Sequence, residues 1–191
     1  LVAWETAHPG EVAQLPVRAL LSAGRPDPAW THRAVTPELL GGGLPERLAA
    51  DADVASRFGV RYGWNAALLR WRLGFPGTAL SISEHPRFWV VSTVRKAAGI
   101  PVVALLKVWA RERSDRPIRL GPSAVASLAR AHRTPAVIHV GLNADVAMVG
   151  TPLPKRIRPA PLFLTYVANP EIVATEEINF DTFELLDFDA L

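Results

Sequence analysis

The hydrophobic period of the chain changes near residue 79: apolar positions recur at helical spacing before it and gather into strand-length blocks after it. Glu46–Phe58 predicts a helix of about three turns, with Pro45 at its first turn. Asn65–Trp71 predicts a second, shorter helix. Asn65 suits the N-cap, and Leu68, Leu69, Trp71 and Arg72 cover a broad face before Gly74 to Gly77 stop it. A third helix is predicted at Glu11–Ser22, where Val12, Leu15, Ala19 and Leu20 share a face. The rest of residues 1–45 reads as a Pro/Gly-rich segment or linker, with glycine at 41, 42 and 43.

Past residue 79 the blocks are β-branched and aromatic. Ala79–Ser83 predicts a strand, Phe88–Arg95 (FWVVSTVR) a second and Pro101–Arg111 (PVVALLKVWAR) a third. The turn Ala97–Gly99 makes the last two an antiparallel hairpin. A polar loop follows over Glu112–Gly121. It leads to a helix at Ser123–His132 with Val125, Leu128 and Ala129 inward, then a buried strand at Pro135–Gly141. Strand, helix, strand in that order is a βαβ unit with parallel neighbours and a right-handed crossover. Leu162–Val167 and Thr182–Asp187 close the chain as strands. The expected fold class is α/β with a mixed sheet, an antiparallel hairpin followed by a βαβ crossover, over one domain at residues 46–191.

Composition narrows the picture little. With 191 residues, 49% of them hydrophobic and 20% charged, the chain can bury a core and is not a disordered segment. A net charge of +3 does not argue for nucleic acid. The absence of cysteine removes disulfides, a thiol nucleophile and cysteine-based metal sites, and is compatible with a cytoplasmic protein. No apolar run reaches the roughly 18 residues of a membrane helix, and the start lacks a signal-peptide pattern. The first residue is Leu1 rather than Met, which points to processing or to a piece of a longer chain.

The phosphate-binding P-loop, the dinucleotide G-x-G-x-x-G and H-E-x-x-H are missing. Five histidines, at 8, 32, 85, 132 and 139, show no metal-pair spacing, and His139 reads as a hydrogen-bonded core residue. Asp187 and Asp189 read as carboxylates on one solvated strand face. Ser123 and Ser127 lack a nucleophile-elbow context. Arg113, Arg116 and Arg119 precede the helix at Ser123, so this loop is either an anion site at a helix N-terminus or a solvated basic loop.

In Leu68–Gly77 (LLRWRLGFPG), Arg70 and Arg72 stand about 200° apart on a helix and cannot share one phosphate. Leu68, Leu69 and Trp71 are expected to anchor the helix, with one Arg stacked on the indole.

This LRWR segment followed by Pro76, together with the element order after it, resembles the later half of a GNAT-superfamily domain, the acyl-CoA-dependent N-acyltransferases. Phe183–Asp189 (FELLDFD) resembles the closing strand of such proteins. His139–Gly150 resembles their strand-to-helix passage, with Asn143 and Gly150 at matching positions and Thr151 in place of an aromatic. The resemblance implies transfer of an acyl group, acetyl above all, from coenzyme A to an amine or sugar-amine acceptor. A strand N–H near Val108, Trp109 or Ala110 would polarise the acyl carbonyl. Arg116, Arg119, Gly121, Ser123 and Asn143 would hold the cofactor, although the loop has one glycine where the family has two and Pro122 removes a donor. Tyr166 is the candidate acid for the leaving thiolate and Glu84 a candidate base. A second GNAT-like lobe or a second copy is the implied partner. Two other readings stay open: a non-catalytic GNAT-like binding or structural domain, and a nucleic-acid or polysaccharide-binding module.

Overall fold

A computed structural model describes residues 13–14, 16–54, 60–61, 63–97, 99–153, 163–164 and 180–187. The strands are β1 Ala13–Gln14, β2 Val17–Leu20, β3 Thr31–Ala34, β4 Val60–Arg61, β5 Leu80–His85, β6 Phe88–Ala97, β7 Ile100–Ala110, β8 Ile118–Leu120, β9 Val137–Asn143, β10 Val146–Met148, β11 Gly150–Pro152, β12 Phe163–Leu164 and β13 Phe180–Glu184. The helices are α1 Pro37–Gly41, α2 Leu44–Val54, α3 Ala66–Leu73 and α4 Pro122–Ala131. The fold is α+β, built on a mixed, mostly antiparallel sheet with the path β11-β2-β9-β7-β6-β5-β3. β13 joins this sheet through β9 and pairs with β4.

The hairpin forms as its alternation dictates: Phe88 pairs with Ala110 and Ala97 with Ile100 across a turn where Gly99 has φ +81°. The βαβ expectation also holds in its pairing, because β7 and β9 run parallel. Their adjacent strands read as continuous apolar runs because the sheet is covered on both faces. On one face Leu44, Leu48, Leu69 and Leu73 from α2 and α3 pack against Ile82, Trp89, Val91, Ala104 and Leu106. On the other, Val125 and Leu128 of α4 pack against Val90, Val103, Leu105 and Val137.

Several expectations are corrected. The described part of Glu11–Ser22 is not a helix. Val17–Leu20 is β2, hydrogen-bonded antiparallel to β9, which offers a free edge that a short apolar run fills as readily as it would form a helix turn. β2 and β3, two short strands from within the Pro/Gly-rich segment, pair in the sheet with β9 and β5. The polar loop before α4 contains β8, paired in parallel with β10. After His139 the chain passes from strand to strand, not strand to helix: the Asn143 carboxamide oxygen accepts from the N–H groups of Asp145 (3.1 Å) and Val146 (2.9 Å) and turns the chain into β10.

In α3, Asn65 caps as expected, its Oδ1 accepting from Leu68 N–H at 2.9 Å. The face is rotated, however. Trp71 is 55% exposed and Arg72 is buried, with its guanidinium 5.8 Å from the indole centroid. Leu69 and Leu73 anchor the helix, since they alone of its apolar side chains reach the cluster below α2. Arg70 instead pairs with Glu46 of α2 at the surface.

Two substitutions separate cap from core. Leu128→Ala, at a fully buried position, is expected to cost about 2–5 kcal/mol. Asn65→Ala is expected to cost about 1 kcal/mol. Denaturant midpoints at constant slope measure both.

Candidate functional site

Main-chain pairing between the parallel strands β7 and β9 is short. It covers Val103–Leu105 against Val137–His139 and then ends. At the same point β7 carries a bulge: Val91 faces Lys107 while Ser92 faces Leu105, so Leu106 is the extra residue. Beyond the bulge, Val108 is bonded across the gap by side chains. Its N–H donates to Glu184 Oε2 (3.3 Å), and its carbonyl accepts from Asn143 Nδ2 (2.9 Å).

Glu184 enters from β13, which pairs with the last three residues of β9. Gly141 is needed for that approach. Its φ is +125°, and a Cβ there would lie 2.2 Å from the Phe183 carbonyl oxygen. Glu184 is fully buried, and four donors converge on its carboxylate. These are Val108 N–H, Asn143 Nδ2 (3.1 Å), His139 Nε2 (2.8 Å) and Lys107 Nζ (3.4 Å). Lys107 also lies 2.6 Å from Asp187, whose carboxylate accepts from Glu184 N–H (2.7 Å) and from Trp64 Nε1 (2.9 Å). Asp187 is therefore a buried anchor at the end of β13, not a member of a solvated pair; Asp189 lies outside the described residues. The 3-10 turn Leu185–Asp187 swings its carboxylate inward, which strand alternation does not foresee.

One ammonium thus serves two buried carboxylates. Burial alone would push the Glu184 carboxyl up; Lys107, the His139 bond and Val108 N–H outweigh it and hold the group below its ordinary value of 4.5. Asp187 goes the other way. Burial, then the Glu184 charge, raises it above 3.8 against the pull of Lys107. An ionised Glu184 can only accept, so His139 Nε2 carries the proton.

His139 is the hydrogen-bonded core residue expected. His139 is also among the residues lining an open cleft of about 140 Å3, with Arg18, Gly141, Asn143, Val146 and Met148.

The residues singled out in the sequence fall into three places. Val108 and Asn143 meet at the strand gap, with Trp109 beside it packed edge-on to Trp64 (81°) and Ala110 buried toward α4. Arg116 and Arg119 are exposed around β8, Gly121 is the N-cap of α4, and Ser123 is exposed in its first turn. Ile118 N–H in this loop already donates to the Asp145 carbonyl (2.9 Å). Glu84 is two strands from β7, roughly 10 Å across the sheet. Its carboxylate pairs with Arg33 (3.2 Å) and Arg111 (3.1 Å), and Arg111 stacks on Trp89 at 4.8 Å. Tyr166 lies outside the described residues. Lys107, Glu184 and Arg18 escaped the sequence reading. The signal for the first two was present: the lone Lys inside VVALLKVWA and the two acids inside FELLDF must find partners if buried. Among the described residues no group of His, Asp and Glu could hold a metal ion, and no helix is long and apolar enough to cross a membrane.

Removing only the cation tests the cluster. Lys107→Met leaves two buried carboxylates facing each other and is expected to cost about 3–5 kcal/mol. The pH dependence has a defined sign. Glu184, held low, contributes stability above its ordinary value that is lost as pH falls through its folded value. Asp187, held high, acts oppositely: its contribution is full below 3.8 and fades as pH rises through its folded value. The deficit of Glu184→Gln against wild type is therefore expected to shrink on acidification below 4.5, measured by urea unfolding across the acid range.

No family model matches the chain, and no curated protein matches it.

Proposed function

We propose that the chain is a GNAT-like lobe whose acyl-donor position is held shut, so that it serves as a binding or structural lobe and does not transfer an acyl group by itself. The observation that carries this reading is the fully buried Glu184 carboxylate on the N–H of Val108. By the resemblance, that N–H is where a thioester carbonyl would be polarised. A carboxylate fixed there by Lys107, His139 and Asn143 repels a carbonyl oxygen, and freeing the N–H would strand a buried charge. The basic loop supports the same conclusion, since an amide that a pyrophosphate would need is already bonded within the β8–β10 pair. Such a lobe has a second GNAT-like lobe or a second copy as its natural partner.

A specific observation favours the catalytic reading as the second: two parallel strands part beside a bulge, leaving a backbone N–H outside the ladder. In that reading the lobe transfers an acyl group, acetyl above all, from coenzyme A to an amine or sugar-amine.

Titration of the chain with coenzyme A and with acetyl-CoA separates them. The closed lobe predicts no saturable rise in melting temperature. Occupancy at 100 Kd would add about 2.7 kcal/mol, or roughly 5–10 °C for a chain of this size. A rise of that kind, with acetyl appearing on an added amine, establishes the catalytic reading instead.

A further inference from the structure

We propose that the cleft beside His139 is a binding site for a small monocarboxylate with a short apolar body. The cleft lies on the α4 side of the sheet, past the end of the apolar cluster there. Alternation along β2 puts Arg18 on the same face as Leu20, and alternation along β9 puts His139 on the same face as Val137; Leu20 and Val137 both belong to the α4-side cluster. Arg18 and His139 are direct partners in the β2–β9 register, so both side chains leave the same face of the sheet, and both residues line the cleft. Arg18 is exposed, and among the described residues no carboxylate pairs with it.

The chemistry selects the ligand. A single guanidinium fork matches the two oxygens of one carboxylate. Glu184 carries its charge just behind the imidazole, so the field at the cleft tolerates one negative charge and disfavours a dianion such as phosphate. Among the described lining residues, Pro16, Leu142, Val146 and Met148 carry apolar side chains that can pack against a short body, while backbone groups keep the cleft surface partly polar. A volume of about 140 Å3 is close to that of a cavity that accepts a benzene-sized molecule, which suits a body of roughly four to six carbons. The bonds of Asn143 are spent on Val108, Glu184 and the turn into β10, so it shapes the wall without binding. The site shares His139 with the closed strand gap but leaves Glu184 in place. It does not rest on the GNAT reading.

The test is calorimetric titration of the whole chain with hexanoate, hexanamide and inorganic phosphate. Saturable binding of hexanoate is expected, with hexanamide at least about tenfold weaker because it lacks the charge-assisted fork. Arg18→Met, a surface substitution whose fold is checked by circular dichroism, is expected to weaken hexanoate by a similar factor. Met148→Trp fills the apolar end with Arg18 intact and is expected to abolish binding. The proposal is overturned by equal affinity for hexanoate and hexanamide, by unchanged binding in either variant, by tighter binding of phosphate, or by no saturable binding of hexanoate.

Discussion

The Glu184 carboxylate holds the centre of the sheet together where hydrogen bonding between strands fails. β7 and β9 are paired for only three residues, and the next backbone groups of β7 would face a gap. A buried N–H without a partner costs about 1–3 kcal/mol, so a gap of this kind must be filled. Glu184 fills it from β13, and Asn143 satisfies the carbonyl of the same residue. The price is a buried negative charge, which explains why Lys107 stands in an otherwise apolar strand and why His139 turns its Nε2 inward.

The same arrangement accounts for the covering of the sheet. Because β6 and β7 are apolar on both faces, helices or crossovers must lie on both sides. α1 to α3 cover one and α4 the other. Arg111, held by Asp51 (3.0 Å), Glu84 (3.1 Å) and the Trp89 ring, ties α2 to the far end of the hairpin. The two charged clusters differ in kind. The Arg111 group is part-exposed and joins elements at the rim, whereas the Lys107 group is sealed and fixes strand geometry.

This division shapes the functional reading. Groups that look reactive in isolation, such as Glu84, Glu184 and His139, are each engaged in structure. The strand gap is occupied by the protein's own carboxylate. The adjacent cleft is lined by Arg18, which has no carboxylate partner among the described residues.

The periodicity of the chain by itself determined the hairpin, the α4 helix and the parallel return of β9, because these are local patterns whose buried faces admit one arrangement. It also determined the Asn65 cap, since a side chain three residues from an N–H needs nothing else. Tertiary structure alone decided the state of Val17–Leu20, where four residues suit either a helix turn or an edge strand and only the vacant side of β9 selects the strand. It alone decided which face of α3 is buried, because Arg72 and Trp71 compete for one position and packing against α2 chooses. Above all it decided the candidate site. The partners of Glu184 lie 41, 45, 76 and 77 residues away, at Asn143, His139, Val108 and Lys107. The sequence shows that Lys107 in an apolar strand and the acids of FELLDF need counter-charges once buried, but at such separations only the sheet order brings them to each other.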